Sequence, residues 1–210
     1  MNAVNSIVKM SAVAGALVLA ACSQTPPEPG PVTGPVTGSI WTVDSDATKL
    51  SYVSVKQGEI AEVNTFETLT GSVNESGEAV IEIDLASVST LVDIRDERMR
   101  DVFFVVADNP AATVTAQIDP AAFENLKVGQ SVQTTVDTTV SLKGVEAGFD
   151  AEVTVTRAGE NRILAVSDKP VIVYADALEL TEGLAQLQAL AGLDSITPAV
   201  PVSFLIAFER

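Results

Sequence analysis

The chain has 210 residues, a formal net charge of −16, one cysteine and no histidine. That charge argues against nucleic acid and anionic headgroup surfaces as partners, because both need clustered Lys and Arg. With no imidazole anywhere and the one thiol at Cys22, Ser-His-Asp and Cys-His catalysis, a His/Cys zinc site and a disulfide are all excluded from the rest of the chain.

Residues 1–21 read as a signal peptide. Lys9 precedes an apolar run from Met10 to Ala21, too short to span about 30 Å of hydrocarbon. Leu19-Ala20-Ala21-Cys22 resembles a bacterial lipobox, which implies cleavage before Cys22 and its acylation. Several acyl chains hold a protein on a bilayer where one does not, at about 0.8 kcal/mol per buried methylene. Ser23 stands where a sorting Asp would retain a Gram-negative lipoprotein at the inner membrane. The expected location is therefore the cell envelope, on the outer membrane and facing the periplasm.

Residues 22–39 read as the lipidated Cys followed by a tether. The tether is rich in proline, and Pro31-Val32-Thr33-Gly34 repeats as Pro35-Val36-Thr37-Gly38. Such a segment supplies reach and no core.

Residues 40–210 form one domain with mostly period-two patterning. Lys49–Lys56, Asn64–Val73 and the alternation Ala79, Ile81, Ile83, Leu85 predict the first strands. Asp93–Phe104 is charged and then apolar and predicts a helix capped by Thr90 or Asp93. Thr113–Ile118 is the next strand, and a short turn starts at Pro120 behind Asp119. Ser131–Thr156 reads as a long hairpin about Gly144, with Val136, Thr138, Val140, Leu142 and then Phe149, Ala151, Val153 on one face. Arg162–Tyr174 is a strand broken near Pro170. Glu182–Leu193 is a helix capped by Thr181, and Val200–Phe208 is the last strand.

The predicted fold is all-β: a closed or nearly closed antiparallel barrel of about eight strands with two short helices. Closure removes exposed edges, and a barrel of this size is filled by side chains or holds one ligand. The inward positions are mostly Val, Ala and Thr, so space for a ligand is expected. Tyr52, Phe66, Phe103, Phe104, Leu142, Phe149 and Phe204 are the candidate wall of an apolar site. Packing in a filled core is the competing role for each of them.

The run Asp93–Asp101 is the densest cluster of charge. Arg95, Arg98 and Arg100 are candidate contacts for an anionic headgroup. The alternatives are a solvated helix face or an Arg clamped to a neighbouring carboxylate. Asp93, Asp96, Glu97 and Asp101 lack the spacing and the glycine of an EF-hand calcium loop. No metal and no cofactor are expected.

Three stretches carry a resemblance. They are Leu50–Lys56 with Phe66 and Thr70-Gly71-Ser72-Val73, then Ile83–Thr90 with Ile94-Arg95-Asp96-Glu97-Arg98-Met99-Arg100, Phe103-Phe104 and Asn109-Pro110, and last Val140–Val145. Together they resemble the YceI-like family of periplasmic lipid-binding proteins. The resemblance implies a lipocalin-like barrel whose interior takes a polyisoprenoid, a quinone-like molecule or a similar long amphiphile. Many relatives carry histidines in the first strands; this chain has none, so no role of theirs transfers. The expected function is binding of a long apolar lipid, not catalysis. The alternatives are an envelope interaction protein with a filled barrel and, further off, an enzyme built on paired carboxylates.

Overall fold

The computed structural model describes residues 36–210. The signal peptide, Cys22 and most of the tether lie outside the described residues.

Twelve strands among the described residues make one antiparallel sheet. They are β1 (Trp41–Val43), β2 (Lys49–Lys56), β3 (Ile60–Phe66), β4 (Leu69–Val73), β5 (Glu78–Asp84), β6 (Val88–Ser89), β7 (Ala111–Gln117), β8 (Ser131–Leu142), β9 (Val145–Gly159), β10 (Arg162–Ser167), β11 (Val171–Tyr174) and β12 (Ala199–Glu209). Several are halves of one bent stave. β1 and β2 both pair with β12, β3 and β4 both follow the β1–β2 stave, β6 continues β5, and β10 and β11 share the other edge of β12. Counted by stave, the sheet has eight members in sequence order. Pairing of β1 with both β4 and β12 closes it into a barrel.

Local chemistry explains the joints. The β8–β9 hairpin turns on Lys143 and Gly144, both at positive φ (53° and 80°), the two-residue turn whose twist matches the strands. Proline cannot donate to the ladder, and β10 stops before Pro170. The β3–β4 stave breaks at Glu67-Thr68, where both amides turn to Ser87 instead of to a neighbouring strand. The strand expected over Asn64–Val73 is thus two strands, the first beginning at Ile60.

Two helical segments cover one end of the barrel. α1 (Asp93–Arg98) runs into a π-helical turn, Met99–Phe104, which stops at Val105 in the left-handed region. α2 spans Thr181–Ala191 and ends on Gly192 at φ 62°. Neither start uses the expected cap. The N-cap of α1 is Val92 and that of α2 is Leu180, without a side-chain bond in either case. Thr90 is instead tied to Asp96, whose carboxylate accepts from the Thr90 amide at 2.8 Å, and Thr181 is itself helical. Asp119 does cap the short turn Pro120–Phe123.

The core lies in two clusters, one at each end. Leu85, Val88, Met99, Phe103, Phe104 and Leu178 belong to the helix-covered end. Trp41, Leu69, Phe123, Ile163 and Phe208 belong to the other. Val36 joins the second cluster, 7% exposed, and its carbonyl accepts from the Trp41 indole at 2.9 Å. The last residues of the expected tether therefore pack onto the barrel, because an indole N–H inside an apolar core needs a partner.

Candidate functional site

The lumen is open, with a cavity of about 530 Å³ whose wall includes members of both clusters. The inward faces of the staves build its wall: Ala79, Ile81, Ile83, then Val136, Val140, Ala151, Val155, and Val202, Phe204, Ile206. Several wall residues, including Val136, Val155, Ala165, Val202 and Phe204, point into the barrel and yet are only half-buried. Their remaining exposure is to the lumen, as expected of a hollow tube lined by small residues. Thr138 keeps the wall apolar, since its hydroxyl donates to the Phe149 carbonyl at 2.7 Å.

All seven predicted apolar candidates, Tyr52, Phe66, Phe103, Phe104, Leu142, Phe149 and Phe204, line this cavity. Four form a ring chain at the helix-covered end: Tyr52–Phe66 at 5.6 Å, Phe66–Phe104 at 5.8 Å and Phe103–Phe104 at 4.9 Å. Of the three arginines, Arg95 and Arg98 reach the cavity and Arg100 does not.

Polar groups concentrate beside α1. Glu62 accepts from Lys56 at 3.0 Å and from Arg95 at 2.6 Å, and Arg95 also donates to the Thr90 carbonyl at 2.7 Å. So Arg95 is clamped to a neighbouring strand carboxylate. Burial alone would raise the Glu62 carboxyl, but the bonds from Lys56 and Arg95 outweigh it and hold the group below the usual carboxylate range. Burial pushes the Tyr52 phenol well above its ordinary value; the Arg95 charge opposes this and Asp96 adds to it. Asn64, 2% exposed, donates to Ser54 at 3.1 Å and to the Glu62 carbonyl. Its Oδ1 and the Arg95 Nε are buried with no hydrogen-bond partner among the described residues.

Sequence reasoning missed Lys56, Glu62 and Asn64 as lining residues. The signal was present in the period of two. Glu62 and Asn64 precede the inward Phe66 by four and two positions, so a strand begun at Ile60 puts both on the lumen side. Trp41 and Phe123 also line the far end of the lumen.

The wall has a seam at this polar end. β3 runs back to Ile60, while its neighbour β6 pairs with it only at Thr65 and Phe66 and ends at Ser89. Beyond that point the edge of β3 meets the segment Thr90–Arg98, joined across the gap by the Arg95–Glu62 pair.

A YceI-like domain model matches residues 41–208. Among solved structures, a polyisoprenoid binding domain from Saccharophagus degradans implicated in plant cell wall breakdown superposes with a TM-score of 0.78 at 36% identity. The match covers 81% of this chain and 98% of that one. BcnA of Burkholderia cenocepacia superposes at 0.59 with 18% identity over 79% and 98% of the two chains, a likeness of fold. No curated protein matches the chain.

Proposed function

The chain belongs to the YceI-like family, and from that premise we propose that it binds a long apolar lipid of the isoprenoid class, with the tail inside the barrel. The carrying observation is the open, largely apolar lumen of about 530 Å³ inside the barrel. Its size falls in the range of pre-formed ligand sites, about 300–1,000 Å³. The likeness to the polyisoprenoid binding domain supports the choice of ligand class. Tyr52, Phe66, Phe103, Phe104, Leu142, Phe149 and Phe204 contact the tail in this reading. Arg95 and Arg98, with the unpartnered Asn64 Oδ1, meet the polar head. Arg100, away from the lumen, has no part in it.

The open interior weighs against a filled barrel acting only as an interaction module. An enzyme built on paired carboxylates needs two acids facing each other, and the Glu62 carboxylate is paired instead with Lys56 and Arg95.

Lipidation of Cys22 and attachment to the outer membrane, facing the periplasm, complete the proposal. They rest on the Leu19–Cys22 pattern and on Ser23. Metabolic labelling with a fatty acid tests the anchor: label enters the native chain and is lost in Cys22→Ala. For the ligand, gentle native mass spectrometry and organic extraction of the purified protein are expected to recover one long-chain isoprenoid per chain. Repeated recovery of empty protein that also fails to take up polyprenols or isoprenoid quinones overturns the reading.

A further inference from the structure

The seam between β3 and β6 is bordered on its outside by apolar side chains that pack on little or nothing. Leu91 is 89% exposed, Val63 64% and Ile94 53%, with Val92 and Ile60 also exposed. They belong to one locality. Leu91, Val92 and Ile94 lie in the chain between Thr90 and Arg95, two residues of the cavity wall. Val63 stands on the outer face of β3 between Glu62 and Asn64, and Arg95 bonds Glu62 across the seam. Isolated exposed apolar residues are ordinary, whereas a cluster beside residues of a cavity wall is not.

Leu91 adds a second observation. Its backbone is held at φ 61°, a left-handed conformation that disfavours any residue with a Cβ. Strain of this kind persists where the surroundings compensate for it. Burial of the leucine would be such compensation, and here the side chain is almost wholly in solvent.

We propose that this rim is a membrane-docking face: Leu91, Val92, Ile94 and Val63 insert into the interface of an electrically neutral bilayer, bringing the seam against the acyl region. The inference rests on the lipid-binding reading above, since a long apolar ligand resides in a bilayer rather than in water before it enters the lumen. The occupant follows from charge as well. Along Asp93–Asp101 four carboxylates face three guanidiniums, and the whole chain carries −16, so an anionic surface is disfavoured and a neutral one is not. The patch adjoins the cavity wall through Thr90 and Arg95, so a bilayer seated on it lies against that wall.

The test uses the mature chain, from residue 22 onward, carrying Cys22→Ser, which leaves no native thiol and no apolar leader. Leu91→Cys on the rim and Glu124→Cys, exposed at the opposite end of the barrel, are each labelled with an environment-sensitive fluorophore. Phosphatidylcholine vesicles are expected to shift the Leu91→Cys emission to the blue, with quenching by bilayer-embedded quencher lipids, and to leave Glu124→Cys unchanged. Replacing a third of the lipid with phosphatidylglycerol weakens the shift. Absence of a shift at position 91, an equal shift at both positions, or a shift without vesicles that grows with protein concentration overturns the proposal. The last of these outcomes would assign the rim to a second copy of the chain. A companion variant, Leu91→Ser with Val92→Ser and Ile94→Ser, is expected to take up an isoprenoid quinone from vesicles at least about tenfold more slowly, while binding detergent-dispersed quinone like the parent. Unchanged uptake from vesicles counts against docking. Failure of the parent to bind quinone in detergent counts against the lipid-binding reading alone, because the fluorophore shift needs no ligand.

Discussion

Glu62 accepts bonds from both Lys56 and Arg95, and those two cations are what depress its pKa against the opposing effect of burial. A carboxyl whose folded pKa lies below its unfolded value, about 4.3, stabilises the fold above that value. The contribution is lost as pH falls through the folded pKa. Glu62→Gln is therefore expected to lower stability at pH 7 by about 1–2 kcal/mol, the scale of a charged hydrogen bond in a half-buried pair. The deficit should shrink in acid. Denaturant midpoints of the two proteins at pH 7 and pH 3 check this, and a difference that does not change with pH would contradict it. The Arg95 partner was legible in the sequence only as one of several options, a clamp to some nearby carboxylate. Its identity was not, because Glu62 lies 33 positions away and nothing local marks it. The aromatic wall was legible, since Phe66, Phe149 and Phe204 each fall on the inward parity of an evident strand.

At the scale of elements, the bends in the staves shape the lumen. Gly71 in β4 sits at φ 139°, and a Cβ there would lie 2.1 Å from the Val80 carbonyl oxygen of β5. Backbone cannot yield as a side chain can, so Gly71→Ala is expected to cost at least about 2 kcal/mol. A thermal melt that fails to drop by several degrees would contradict this. Gly71 stands in one of the stretches that carried the family resemblance, and close backbone approach gives that glycine its physical reason. A second glycine sets the contact between the helical elements. A Cβ on Gly183 of α2 would come within 3.1 Å of the Phe103 ring. Gly183→Val should push α2 off the π-helical turn, loosen the covered end of the barrel and speed release of bound lipid in a stopped-flow exchange assay. Unchanged release rates would show that α2 is not part of the closure. Helix positions were readable from charge and apolar spacing, but their starts were not. Local sequence offered Thr90 and Thr181 as caps, whereas the Asp96 carboxylate reaches back six residues to hold Thr90. The π-helical turn at Met99–Phe104 has no signature in residue spacing; it follows from packing Met99, Phe103 and Phe104 together against the barrel end.

For the whole molecule, alternation along each stave made the closed eight-membered sheet legible, while the interior was legible only as a possibility of space. Period two says which side chains face inward and is silent on whether they meet across the axis. Small wall residues such as Val136 and Ala165 leave a gap, and members of both packed clusters line it. In the proposed function a lipid tail lies in this gap. The most direct measurement is a binding titration with a long-chain polyprenol, comparing the native protein with Ala165→Trp, which puts an indole into the lumen. One polyprenol per native chain is expected, with affinity at least about tenfold weaker in the variant at a similar denaturation midpoint. Equal affinity in both proteins, with the variant folded, would place the lipid elsewhere and contradict it.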